Sequence, residues 1–210
     1  MNIRQISFPQ SQYYTQKQNK KQIYLHHTAG GPKGEDVYRW WAKDPGRVAT
    51  CVVISRNGEI IQGFKSDRWA YHLGVKTQHF KNMGLPYINL DKTSIGVEIC
   101  NWGQLRYKEG KFINYVNREV PESEIIELNL VHRGYRYYQS YTEEQINSVK
   151  ELLLYWGNFY KIPLNYNEDI WDLTERAYKG EPGVFTHNSV RPDKVDAYPH
   201  PSLISMLKSL

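Results

Sequence analysis

The sequence contains little of what marks a disulfide-bonded, membrane-embedded or exported protein. Only two cysteines, Cys51 and Cys100, occur among 210 residues, and both lie in apolar runs, so we expect buried free thiols. No segment approaches the ~20 consecutive apolar residues of a membrane span. The first residues lack the charged region and apolar run of an export signal. We therefore expect a chain that is made in the cytoplasm without a signal peptide and does not insert into a membrane.

Several other features are absent. We find no internal repeat, low-complexity tract or interdomain linker, and 210 residues suffice for one domain with a substantial core. The formal charge of +5 favours an acidic partner. The basic residues are spread along the chain, however, with no cluster or motif beyond "NKKQ" that would indicate nucleic-acid binding. We expect one domain over residues 21–210, a monomer, and no nucleic-acid partner.

The apolar patterns that are present predict an α/β fold. Val37, Trp40 and Trp41 have helical spacing, and Thr142 begins the most regular helical pattern in the chain. Two apolar strands flank "RNGE", in which Asn-Gly favours a tight hairpin turn. Because a helix separates the first two strands and a direct hairpin follows, the sheet must contain parallel and antiparallel pairs. The predicted strands are at about 22–27, 50–55, 59–64 and 94–100, and the predicted helices are at about 35–43 and 142–160.

Two parts of the chain do not fit this pattern. Residues 1–20 are polar and are predicted to form an N-terminal arm before the first strand. Residues from about 103 to 140 are aromatic and irregular, with one small hairpin at "YKEGKF", and we interpret them as an insertion. We therefore predict a central mixed sheet flanked by helices, with an arm before it and an insertion within it.

Candidate metal ligands occur at two places. His26 and His27 end the first strand, where neighbouring side chains point to opposite faces, so one of the two can reach a given site. The segment "THNSVRPDKVDAYPH" contains His187 and Asp196 in a proline-containing loop. Three protein ligands with an open fourth position are typical of catalytic zinc. No HExxH or CxxC pattern is present, and hydrogen-bonded structural histidines and a capping aspartate explain the same spacing.

Five motifs in order resolve this choice. They are "IYLHHTAGG", "VVISRNGEIIQ", "WAYHLG", "SIGVEI" and "THNSVRPDKVDAYPHP". Together they resemble the zinc-dependent N-acetylmuramoyl-L-alanine amidases of type 2, a family that includes phage endolysins, bacterial recycling and autolytic amidases, and animal peptidoglycan recognition proteins. The resemblance runs from about Gln22 to about Pro201, apart from the insertion. It implies a peptidoglycan recognition protein-like amidase fold.

The resemblance also implies the metal site. The first histidine of the strand-end pair, His26, matches one ligand, which leaves His27 as a structural neighbour. His187 matches the second ligand. The third ligand in the family is a cysteine or an aspartate two residues after a catalytic lysine, and "DKVD" supplies Lys194 and Asp196. We expect one Zn²⁺ per chain, bound by two histidines and one aspartate.

The catalytic groups follow from the same resemblance. The family uses either a tyrosine in the second strand or a glutamate in a later strand as the base. Here Thr50 stands at the tyrosine position and Glu98 matches the glutamate, so we predict Glu98 as the base. Lys194 is predicted to stabilise the oxyanion. His72 matches a position that lines the substrate groove and is predicted to contact substrate.

The implied activity is hydrolysis of the amide between N-acetylmuramic acid and L-alanine in peptidoglycan. We expect a phage endolysin or another wall-lytic amidase that reaches the cell wall through a holin-type pore. A cytoplasmic amidase that recycles soluble muropeptides is the alternative enzyme. A non-catalytic peptidoglycan-binding protein is a further alternative, but it predicts a broken ligand set, whereas His26, His187 and Asp196 all match.

Overall fold

Two β-sheets, six α-helices and four short 3-10 helices make up the computed structural model of the protein, which describes all 210 residues. One cluster of 42 buried residues forms the core, as expected for one domain. The strands are β1 (Ile3–Gln5), β2 (Gln22–His27), β3 (Val52–Ile54), β4 (Ile60–Gln62), β5 (Ser94–Ile99), β6 (Gln104–Lys108), β7 (Lys111–Ile113), β8 (Glu119–Val120), β9 (Ile125–His132), β10 (Tyr135–Gln139) and β11 (Gly183–Thr186). The helices are α1 (Gly34–Trp41), α2 (Thr77–Asn82), α3 (Leu90–Thr93), α4 (Glu143–Tyr160), α5 (Glu175–Tyr178) and α6 (Pro201–Lys208).

The larger sheet has six strands in the order β1-β4-β3-β5-β2-β11. Only β3 and β4 pair antiparallel, through the predicted hairpin whose turn places Gly58 at a φ of 81°. The other four pairings are parallel. The predicted mixed sheet is therefore confirmed. Because β5, β2 and β11 are adjacent and parallel, their carboxyl ends meet at one edge of the sheet.

Helix α4 confirms the prediction of a helix at 142–160. The Thr142 hydroxyl accepts a hydrogen bond from the Gln145 backbone amide, and the Gln145 side chain accepts one from the Thr142 amide. This reciprocal pair satisfies two of the amides that a helix start leaves without partners. Helix α1 likewise occupies the region predicted at 35–43. None of the helices combines the length and apolar character needed to cross a membrane.

The N-terminal segment is part of the sheet, which corrects its description as an arm before the first strand. Strand β1 pairs in parallel with β4 and forms the edge of the larger sheet. The Lys20 side chain is buried, and its ammonium donates to the backbone carbonyls of Lys92 and Ser94. A strand of three residues in a polar context is stabilised by its pairing, so the sequence pattern gives no signal for it.

The predicted insertion is also more ordered than expected. Its five strands form an antiparallel sheet in the order β8-β7-β6-β10-β9, and "YKEGKF" forms the hairpin between β6 and β7. Tyr138 of β10 is fully buried and stacks on Tyr198 with ring centroids 4.2 Å apart. This contact fixes the smaller sheet to the segment that follows Asp196. Cys51 and Cys100 are buried free thiols, as predicted.

Candidate metal centre and catalytic groove

The carboxyl ends of adjacent parallel strands bring the predicted metal ligands together. His26 lies near the end of β2, and His187 immediately follows β11. The register of this pair, in which Leu25 is opposite Thr186, places the two histidines side by side. The loop after β11 then places Asp196 beside the two histidines. The Asn188 side chain donates to the Ala197 carbonyl and stabilises this loop.

Three ligand atoms form a small triangle. The His26 Nδ1 and His187 Nδ1 atoms are 3.2 Å apart, and the Asp196 Oδ2 atom lies 3.1 Å from the first and 3.0 Å from the second. Ligands bound at 2.0–2.1 Å around a tetrahedral zinc are separated by about 3.3 Å. The donor set and its spacing therefore fit Zn²⁺, with one tetrahedral position left for a water or substrate oxygen.

The other nitrogen of His187 supports the same assignment. Its Nε2 atom lies 2.8 Å from the Leu73 carbonyl oxygen, which can only accept, so Nε2 must carry a hydrogen. A neutral imidazole then has a lone pair on Nδ1, facing the Asp196 carboxylate. Two acceptors about 3 Å apart repel each other unless a cation lies between them. Metal-binding histidines commonly make such an outer hydrogen bond to a carbonyl.

The protonation of the triangle also suits a metal. Burial lowers the pKa of His26 to about 4, although its contact with Asp196 acts in the opposite direction. Burial alone would raise the pKa of Asp196, but the adjacent imidazole groups of His187 and His26 hold that pKa well below its ordinary value. His26 is thus neutral and Asp196 ionised near pH 7, which are the forms that bind metals.

His27 lies on the other side of the β2 strand. Its Nδ1 atom is 3.4 Å from the Tyr141 hydroxyl. The ring packs so closely on Gly103 that a Cβ atom there would clash with His27 Nε2. His27 is absent from the group of ligand atoms that could hold a metal. The structure therefore places it as a packed neighbour of the triangle.

A cavity of about 420 Å³ opens over the triangle, and both predicted catalytic side chains line it. Glu98 is half-buried and its carboxylate makes no hydrogen bond or ion pair within the protein. Burial raises the pKa of Glu98 well above its ordinary value, Asp196 raises it further, and Lys194 opposes both. An unpaired carboxylate beside a metal-binding triangle is available to accept a proton. The roles assigned to Glu98 and Lys194 stay predictions.

His72 and Thr50 lie deeper in the cavity wall. The Thr50 hydroxyl donates to the carbonyl of Val52, the first residue of β3, 2.8 Å away, so the hydroxyl hydrogen is already used within the protein. The His72 side chain is only 5% exposed, and both ring nitrogens face protein partners. Its predicted contact with substrate stays a prediction, since the room for such a contact is small.

The cavity is also lined by two residues, Trp40 and Gln104, for which the sequence patterns predicted no function. Trp40 of α1 is 63% exposed at the groove. The helical spacing places Trp40 on the same apolar face as Trp41, so the sequence contains no signal that Trp40 is exposed. Gln104 reaches the cavity from the smaller sheet, so residues 104–139 contribute to the groove wall. No sequence signal connected that segment to the site.

The family model Amidase_2, described as N-acetylmuramoyl-L-alanine amidase, matches residues 16–201. This region includes the metal-binding triangle, Glu98 and Lys194. No curated protein sequence matches the chain.

Solved structures with the same fold have low sequence identity to this chain. PlyL is 17% identical with a TM-score of 0.51, and the alignment covers 93% of this chain and 86% of PlyL. The N-acetylmuramoyl-L-alanine amidase LysC from Clostridium intestinale is 13% identical with a TM-score of 0.50, covering 100% of this chain and 96% of LysC. An AmpD derivative is 17% identical with a TM-score of 0.50, covering 98% and 93%. These similarities confirm the predicted fold.

Proposed function

The chain belongs to the N-acetylmuramoyl-L-alanine amidase family, and from this we propose that it is a zinc-dependent enzyme that degrades bacterial cell walls as an endolysin. The observation that carries the proposal is the triangle of His26, His187 and Asp196, whose ligand atoms are 3.0–3.2 Å apart. A protein that only binds peptidoglycan has no need of this complete set. The complete set, with Glu98 and Lys194 beside it, supports catalysis over binding alone.

The proposed substrate bond is the amide between the lactyl group of N-acetylmuramic acid and L-alanine. Bound at the triangle, zinc would supply Lewis acidity, lowering the pKa of a water and polarising the carbonyl. Glu98 would accept one proton as the water oxygen attacks the carbonyl carbon, and would then deliver that proton to the departing amine nitrogen. Water is thereby added across the C–N bond.

Lys194 would act on the oxygen of the attacked carbonyl. Its ammonium makes no hydrogen bond or ion pair within the protein and lines the same cavity as Glu98. A positive charge aimed at the developing oxyanion stabilises the transition state more than the ground state. Lys194 would thus stabilise the negative charge on the carbonyl oxygen, and Glu98 would transfer the proton.

Action on intact walls is supported by the open groove and by the formal charge of +5. A net positive protein is attracted to the polyanionic polymers of a cell wall. The proposed route to the wall is a holin-type pore made by another protein. The alternative within the family is an amidase that recycles soluble muropeptides in the cytoplasm.

A direct comparison of two substrates separates these alternatives. Purified sacculi and a soluble disaccharide-peptide fragment would be incubated with the protein at equal concentrations of the target bond. An endolysin should clear the sacculi and release peptide from them. Hydrolysis confined to the soluble fragment would instead assign the protein to recycling.

A further inference from the structure

A chain of hydrogen bonds runs from the metal-binding triangle into the core through His72. The His26 Nε2 atom lies 3.0 Å from His72 Nδ1. The His72 Nε2 atom lies 2.9 Å from the Ser94 hydroxyl oxygen. That hydroxyl in turn donates to the Leu90 carbonyl, 2.7 Å away. Each of the two imidazoles thus uses both nitrogens.

The direction of these hydrogen bonds follows from the last one. The Ser94 hydroxyl has a single hydrogen, which it gives to Leu90, so toward His72 it can only accept. His72 must therefore carry a hydrogen on Nε2. In a neutral ring the His72 Nδ1 atom then has a lone pair, and it accepts the hydrogen on His26 Nε2. The remaining nitrogen of His26, Nδ1, keeps its lone pair for the triangle.

The surroundings hold the His72 ring in this orientation. Its backbone amide donates to the Asp91 carboxylate, 2.8 Å away. The ring packs on the backbone of Gly96, where a Cβ atom would lie 3.0 Å from His72 Nδ1 and 2.5 Å from a Thr50 methyl group. Asp91 Oδ1 is 3.9 Å from His72 Nε2, beyond a hydrogen bond. Ser94 is therefore the direct partner of His72 Nε2.

We propose that His72 is a positioning residue that fixes the tautomer and orientation of the metal ligand His26, through a hydrogen-bond chain anchored at Ser94 and Leu90. This role differs from the substrate contact expected from the resemblance. Without the chain, His26 could place its hydrogen on Nδ1, which would have to be moved before a metal binds. The inference rests on the proposed zinc site.

The first test measures zinc affinity without any substrate, by competition with a chromophoric chelator. His72→Phe keeps a ring but removes the acceptor, and should weaken zinc binding by about 10- to 100-fold, the usual effect of losing an outer partner of a ligand. His72→Asn can offer its amide oxygen near the position of Nδ1 and should lose less. His79→Phe, at a histidine outside the groove, is the matched control and should bind zinc like the parent.

The second test reads the tautomer directly, and its first measurement uses the parent protein. Long-range ¹H–¹⁵N spectra of the metal-free parent should show a hydrogen on Nε2 of both His26 and His72, and this holds also where a proton takes the place of the metal between the atoms of the triangle. In Ser94→Ala, which frees His72 Nε2, His26 should become a mixture of tautomers.

The outcomes separate this proposal from the proposed function. A parent that binds no zinc contradicts the zinc site, whereas the tautomers remain measurable. If the parent binds zinc, the positioning role is overturned by a folded His72→Phe with the parent's affinity. It is also overturned by finding no hydrogen on His26 Nε2, or the His72 hydrogen on Nδ1, in the metal-free parent.

Discussion

Two adjacent histidines of one strand have different surroundings because successive side chains of a strand point to opposite faces of the sheet. His26 faces the triangle, and His27 packs against Tyr141 and Gly103. From the motif "IYLHHTAGG" alone, either His26 or His27 could be the ligand, and the resemblance to the family assigned His26. The structure supplies the physical reason, since the ligand atoms of His187 and Asp196 lie on the His26 side.

This difference makes the pair a matched test. His26→Ala should reduce bound zinc from about one per chain to almost none and abolish hydrolysis, because two remaining ligands do not form a catalytic site. His27→Ala should keep its zinc, although it loses packing. Elemental analysis of the folded variants measures both. Loss of zinc from His27→Ala alone would show that the wrong histidine has been assigned.

Glu98 is the second residue whose role depends on its surroundings. Glu98→Gln preserves shape and hydrogen-bonding capacity but cannot accept the proton. We expect zinc binding to persist while turnover falls by roughly 10²–10⁴, the range for general acid-base groups. The measurement is the initial rate of peptide release at saturating zinc. A near-parental rate in a folded, zinc-loaded variant would move the role of base to another group.

The same substitution has a pH-dependent effect on stability. Burial and Asp196 raise the pKa of Glu98 in the folded chain above its unfolded value, so ionised Glu98 costs folding free energy. This cost is absent below the unfolded pKa and grows as the pH rises toward the folded pKa. In metal-free protein, Glu98→Gln should therefore raise the Tm at neutral pH and leave it almost unchanged below about pH 4. An equal increase in Tm at both pH values would contradict this account.

At the scale of elements, the sequence predicts those parts whose signal is local. The β3–β4 hairpin has Asn-Gly at its turn, and α4 has both an N-cap and regular apolar spacing. Strands β1 and β11 and, apart from the β6–β7 hairpin, the smaller sheet were not predicted, because short strands depend on pairing with distant segments. The same limit applies to the site. Motif order identifies the ligands, but their 3.0–3.2 Å spacing comes from the register of β2 and β11.

The start of α4 offers a test at this scale. Thr142 caps the helix, and its hydroxyl also donates to the Arg56 carbonyl, 3.0 Å away. Thr142→Ala should lower the free energy of unfolding by about 0.5–2 kcal/mol, as for other N-cap losses. Thr142→Ser keeps the hydroxyl and should lose less. Chemical denaturation measures both, and equal losses in the two variants would assign the effect to the methyl group.

At the scale of the whole molecule, one groove combines contributions from distant parts of the chain. The larger sheet supplies His26 and Glu98, the loop after β11 supplies Lys194 and Asp196, and the smaller sheet supplies Gln104. A residue's neighbours in sequence therefore say little about its neighbours in the groove. The family match over residues 16–201 covers all of these contributions together.

The central claim is that this groove hydrolyses one amide bond with the help of zinc, and the products released from purified walls test it most directly. Mass spectrometry should find stem peptides with a free amino-terminal L-alanine and glycan strands with free lactyl carboxylates. Both products should disappear with a chelator and return with added zinc. New reducing sugar ends, cuts within the stem peptide, or amide cleavage that the chelator leaves unchanged would contradict the claim.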